Sequence, residues 1–120
     1  MEHFNWEEFA CNCGCGRHID KMNKEFLYML DEARGTASVP FIITSGYRCP
    51  VYNMTVGGKD NSAHKYGLAA DIQCLTSSDR FLIVDALIAV GFDRIGIGHG
   101  FIHVDYDLTK PTEMMWDYYK

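Results

Sequence analysis

His64 and Asp71 lie within one short stretch, Ser62–Asp71 (SAHKYGLAAD), and His103 stands at the centre of Phe101–Asp105 (FIHVD). Two imidazoles and a carboxylate make the donor set of a catalytic zinc ion. Three protein ligands hold such a metal, and its open fourth position takes a water whose pKa falls towards neutrality. His64 closes a polar, glycine-rich stretch (VGGKDNS, 56–62) that reads as loop, whereas Gly67–Ile72 (GLAADI) has the small and β-prone residues of a strand crossing a core. A loop ligand and a strand ligand can converge on one ion. In FIHVD the strand period of two puts Phe101, His103 and Asp105 on one face and Ile102 and Val104 on the other.

The elements that must position these groups read as α+β: a small, mostly antiparallel sheet with flanking helices. Asp20–Ala33 is expected to be a helix, with Asp20 as N-cap, Phe26, Leu30 and Ala33 on one face, and Gly35 as its stop. Pro40 opens a strand, Phe41–Thr44, whose exit carries Ser45-Gly46-Tyr47-Arg48. Pro50 begins a short helix through Asn53. Ser78 caps a helix with Phe81, Val84 and Ile88 on a wide apolar face, ending at Gly91. Strands Arg94–Ile97 and Phe101–Asp105 follow, joined by the hairpin-like turn Gly98-His99-Gly100. The tail, Leu108–Lys120, is expected to pack back over the domain.

Ser45-Gly46-Tyr47-Arg48, Ser62-x-His64 with Gly67 and Asp71, and the final His103-Val104-Asp105 occur in an order that resembles the zinc D-alanyl-D-alanine carboxypeptidases and murein endopeptidases. Their fold is shared by the Hedgehog signalling domain and the vancomycin-resistance dipeptidases. The resemblance runs from about Phe9 to Asp105 and is nearest to the short single-domain type found in phages and prophages. It implies that His64, Asp71 and His103 hold one zinc ion. It also implies that Arg48 meets a substrate carboxylate or carbonyl oxygen, and that the substrate is a peptidoglycan stem peptide. A guanidinium fork suits carboxylate recognition, although Arg48 could equally be a salt-bridge residue at a strand end. Ser62 either caps its loop, bonds Asp71 or touches substrate.

Relatives often carry Glu or Asp three residues before the last zinc histidine, or His two before it, as acid/base; here those positions are Gly100 and Phe101. The local groups able to take a proton are His99 and Asp105. Asp105 could instead orient a metal-bound imidazole. A zinc-containing wall-binding or signalling module without hydrolysis, or a structural phage protein, is the rival class that this departure permits.

The 120 residues, 48% hydrophobic and 13% aromatic, suit one compact domain spanning 1–120. The formal charge is −5 and no Lys/Arg cluster occurs, which argues against nucleic acid as a partner. The start, MEHFNWEEFACN, lacks a basic, apolar secretory pattern, and no apolar run reaches membrane-spanning length. A soluble monomer made in the cytoplasm is expected, without membrane insertion. It would reach the cell wall after release, as a phage endolysin does with lysis machinery.

Five cysteines, an odd number, argue against a complete disulfide framework and for reduced thiols. Cys11, Cys13 and Cys15 form C-x-C-x-C, which invites the reading of a second, structural zinc but lacks the C-x2-C knuckle spacing and a clear second half. Small cysteines buried in a tight N-terminal turn are the expected reading.

Overall fold

The computed structural model describes residues 1–13 and 19–119. Its helices are α1 (Lys24–Thr36), α2 (Pro50–Thr55) and α3 (Ser77–Ala89), with 3-10 turns at Trp6–Phe9, Ile19–Lys21 and Ala63–Tyr66. Its strands are β1 (Ile43–Ser45), β2 (Ala69–Gln73), β3 (Arg94–Ile97), β4 (Phe101–Asp105) and β5 (Met114–Asp117). They form one sheet in the order β1-β2-β4-β3-β5.

The period of two sorts the sheet into an apolar and a polar face. Ala70 and Ile72 of β2, Ile95 of β3, and Ile102 and Val104 of β4 are buried in the core. Phe26, Leu27, Leu30 and Ala33 of α1 join them, with Ile83, Ala86 and Leu87 of α3. Spacings of three and four residues gather each helix's apolar side into one stripe that must be covered. Phe26 and Phe92 meet edge to face at 5.6 Å within this core. The alternate residues, Asp71 of β2 and His103 and Asp105 of β4, are left on the opposite face.

Several boundaries differ from the sequence expectation. Asn23, not Asp20, caps α1, its Oδ1 accepting from the Phe26 amide at 2.9 Å, while Asp20 lies in the preceding 3-10 turn. Gly35 does not stop the helix: α1 runs to Thr36, and the Ala37 amide still donates to Ala33 O at 3.0 Å. Thr76, not Ser78, caps α3, its hydroxyl accepting from the Asp79 amide at 3.0 Å. His64 sits in a 3-10 turn, not an open loop, and that turn ends at Gly67 in the left-handed conformation, φ 70°.

The sheet is mixed, where a mostly antiparallel one was expected. The β1–β2, β2–β4 and β3–β4 pairs are antiparallel, but β5 from the tail runs parallel to β3. The tail therefore extends the sheet as well as covering it. Gly96 permits this, because it pairs with Trp116 and a Cβ there would lie 2.7 Å from the indole Nε1. The indole occupies the space a side chain would fill. Among the described residues no helix is long and apolar enough to cross a membrane.

Gly67 links this architecture to the site: its amide approaches His64 O, its carbonyl accepts from the Asn23 amide at 2.9 Å, and a Cβ would collide with the Lys21 carbonyl. Gly67→Ala should lower the unfolding free energy by more than the ~1–2 kcal/mol of left-handed strain alone, measured by urea denaturation with intact secondary structure in the native baseline.

Candidate metal centre

Asp71 and His103 are directly paired across β2 and β4, so the sheet register itself sets their separation. His64 reaches them from the turn preceding β2, fastened where the Arg48 amide donates to His64 O at 3.0 Å. Their donor atoms lie within 4.8 Å of one another, and the residues are 2% (His64), 9% (Asp71) and 8% (His103) exposed. Asp71 Oδ1 is 3.3 Å from His64 Nε2 and 3.0 Å from His103 Nδ1. Zinc–nitrogen and zinc–oxygen bonds of about 2.0–2.2 Å give tetrahedral edges of roughly 3.3–3.5 Å. The two edges at Asp71 therefore need only a few tenths of an ångström of adjustment to fit zinc.

The remaining ring atoms are also committed. His64 Nδ1 lies 2.7 Å from Gly46 O and donates to it, so Nε2, the nitrogen facing Asp71, is the one a metal would take. His103 Nε2 lies 2.7 Å from Asp105 Oδ2 and donates to it. A carboxylate behind a liganding imidazole fixes its orientation and raises its basicity. Asp105 is itself held by Arg94 Nε at 2.6 Å and by the Asp107 amide at 3.3 Å, both on Oδ1.

This cluster bends its own protonation. Burial alone would push the Asp71 carboxyl up, yet hydrogen bonds from His103 and His64, with their charges, bring it far below the usual carboxylate range. Burial would likewise lower His103, but bonds to Asp105 and Asp71 and their charges raise it above the ordinary histidine value. Burial opposes ionisation of Asp105 too, and His103 and then Arg94 overcome it and lower its pKa. With carboxylates at both ring nitrogens, metal-free His103 is an imidazolium, and a metal at Nδ1 replaces a proton.

The other expected residues take distinct places. Arg48 donates from Nε to Ser45 Oγ at 3.2 Å and from Nη1 to Asn53 Oδ1 at 3.3 Å. Its Nη2 is 3.5 Å from Asp71 Oδ2, so it touches a metal-ligand carboxylate despite its distance in sequence. Ser62 caps the turn, its hydroxyl accepting from the His64 amide at 3.3 Å. His99 is exposed and stacks on Tyr119 with ring centroids 4.4 Å apart. It is not among the donors gathered at the metal cluster. Asp105 has both oxygens engaged, the arrangement of an orienting group.

Sequence reasoning missed Arg94, Trp116 and Tyr118. The rings of Trp116 and Tyr118 lie 5.7 Å and 6.4 Å from that of His103, and the Arg94 guanidinium stacks over Trp116 at 5.0 Å. Partial burial, then the charges of Asp71 and Asp105, push the Tyr118 phenol up, so it stays a protonated donor. Strand parity could have placed Arg94 on the polar face; the aromatic pair carried no such signal. An apolar groove lined by Phe81, Val84, Ile88, Ile97 and Met115 contains none of the cluster residues.

A family model described as Peptidase M15 matches residues 2–105. That family is zinc-dependent, and its match spans all three donors. No curated protein matches the chain.

The linkage has a definite sign. His103 is raised, so its contribution to metal-free stability is complete below the ordinary value of 6.5 and is lost as pH rises through its folded value. Asp71 and Asp105 are lowered, so theirs is complete above the ordinary 3.8 and is lost as pH falls towards their folded values. Chelator-treated protein should therefore lose His103's contribution as pH rises through its folded value, while those of Asp71 and Asp105 remain. Zinc must displace a proton, so the rise in Tm on adding it should grow between about pH 5 and about pH 8. Thermal scans with and without zinc read both trends.

Proposed function

The chain belongs to the peptidase M15 family, and on that premise we propose that it is a zinc-dependent hydrolase of peptide bonds in peptidoglycan stem peptides. Removal of a terminal D-alanine and cleavage of an internal bond both fall within this reading. The carrying observation is the buried convergence of His64 Nε2, Asp71 Oδ1 and His103 Nδ1 on a sheet face flanked by an arginine. When bound there, zinc supplies Lewis acidity towards a carbonyl oxygen and lowers the pKa of a water.

The chain's own groups supply the rest. Gly46 O and Asp105 hold the two imidazoles in the tautomers that turn lone pairs towards the metal position. Arg94 keeps Asp105 ionised and fixed. Arg48 is half-buried beside Asp71, with long bonds of 3.2–3.5 Å that a substrate carboxylate can replace by shorter, charge-assisted ones. Trp116 and Tyr118 wall the site on the β5 side, Tyr118 with a phenol able to donate. Since both oxygens of Asp105 are taken, His99 is the proton relay in this reading, at a turn open to solvent. The enzyme would act on the wall after release from the cell in which it is made, as phage endolysins do.

Purified wall sacs treated with zinc-loaded protein should release new amino groups, and mass spectrometry of the fragments names the bond. His64→Ala should abolish the release. Binding to sacs without release by the zinc-loaded parent would establish the non-hydrolytic module instead.

The two proton-relay candidates separate by what they spare. His99→Ala should lower kcat by about two to four orders of magnitude with zinc content unchanged. Asp105→Asn should weaken zinc affinity or activity by about 10–100-fold, as expected when an orienting carboxylate is lost. Titration with a competing chelator alongside kinetics distinguishes the two.

A further inference from the structure

A second cluster of metal-ligating side chains lies outside the site described above. Cys11, Cys13 and Cys49 bring their sulfurs within 4.8 Å of one another. Spacing in the sequence argued against a metal here, because C-x-C supplies no second half. The fold supplies one from a distance. The Phe9 carbonyl accepts from the Tyr47 amide at 2.9 Å, and Asn12 Nδ2 donates to Thr44 O at 2.8 Å. These bonds lay the N-terminal segment along residues 44–49 and place Cys49 against Cys11 and Cys13. Cys15 lies outside the described residues.

The sulfur geometry discriminates between chemistries. Cys11 Sγ and Cys49 Sγ are 3.7 Å apart, and Cys49 Sγ and Cys13 Sγ are 3.9 Å apart. A disulfide needs about 2.05 Å. A tetrahedral zinc with Zn–S bonds of about 2.3 Å sets neighbouring sulfurs roughly 3.8 Å apart. Both separations match that edge. The Cys49 amide also donates to Cys11 Sγ at 3.3 Å. Cys11 is buried, Cys49 is half-buried and Cys13 is exposed, so the cluster is anchored in the core with one side open for a metal to enter. Among the described residues no fourth His, Cys, Asp or Glu joins it.

We propose that Cys11, Cys13 and Cys49 bind a second, structural zinc ion as thiolates, tying the N-terminal segment to the residue that follows Arg48. On binding, each thiol gives its proton to solvent and no oxidant is required. The tie would close a stretch of 38 residues and hold the backbone that carries Arg48 and the Gly46 carbonyl behind His64. Thiolates suit this structural role, and the nitrogen and oxygen donors around His64 suit the catalytic one.

The test is zinc content with X-ray absorption at the zinc edge, on the full chain purified under reducing conditions. The parent should hold about two zinc ions per chain, with a sulfur shell at about 2.3 Å beside nitrogen and oxygen scatterers. His64→Ala should fall to about one ion and keep the sulfur shell, so the two sites fail separately. Cys11→Ser with Cys49→Ser should lose the sulfur shell and keep the nitrogen and oxygen scatterers. The measurement on the parent and on His64→Ala requires no cysteine variant to fold. Absence of sulfur scatterers from the zinc-loaded parent would overturn the proposal. So would a peptide map of the protein, made without reductant, showing a disulfide that joins Cys11 to Cys49.

Discussion

The bond between His103 Nδ1 and Asp71 Oδ1, 3.0 Å across the β2–β4 pair, is the constraint around which the rest of the molecule is arranged. It joins two ionisable groups on one face of a sheet whose other face is packed with Ala70, Ile72, Ile102 and Val104. A slip of one residue in either strand would bury the charge in the apolar core and expose the aliphatic residues. Hydrophobic burial on one face and the ion pair on the other therefore demand the same register. Neither could change without losing both.

Burying charge is unfavourable unless each group finds partners, and the cluster finds them in a chain. Asp71 meets both histidines and Arg48; His103 meets Asp71 and Asp105; Asp105 meets Arg94. The positive groups are interleaved with the carboxylates, which is why both carboxyls stay ionised and His103 is held protonated without a metal. The same interleaving prepares the site for a divalent cation. With the protons that face the metal position gone, the donor set is two imidazoles and a carboxylate, backed by a second carboxylate that is already neutralised by an arginine.

Both terminal segments brace this face. Phe4 and Phe9 are buried, and the Phe9 backbone packs so closely on Gly46 that a Cβ there would lie 2.6 Å from Phe9 Cα. Gly46 O is the acceptor that orients His64, so N-terminal packing bears directly on a metal ligand. At the other end β5 sets Trp116 across Gly96 and beside His103. The metal position thus lies between a hydrogen-bonded N-terminal strap and an aromatic C-terminal wall.

Much of this was legible from residue types and local periodicity. The alternation in FIHVD dictates that His103 and Asp105 share a face, because successive strand side chains must point oppositely, and they meet at 2.7 Å. The apolar spacing of α1 and the β3–turn–β4 unit depended on neighbours in sequence, and these appear with boundaries moved by a few residues, whereas α3 buries Ile83, Ala86 and Leu87 and leaves the expected Phe81 and Ile88 exposed. What depended on distant residues was not legible. The parallel edge strand β5 exists because Gly96 leaves room for Trp116, the contact of Arg48 with Asp71 joins groups 23 residues apart, and Cys49 meets Cys11 across 38. Donor type and strand face follow from side-chain chemistry and backbone period, which the sequence carries residue by residue. Which donor atoms meet is decided by how separate segments pack, and only the folded chain holds that information.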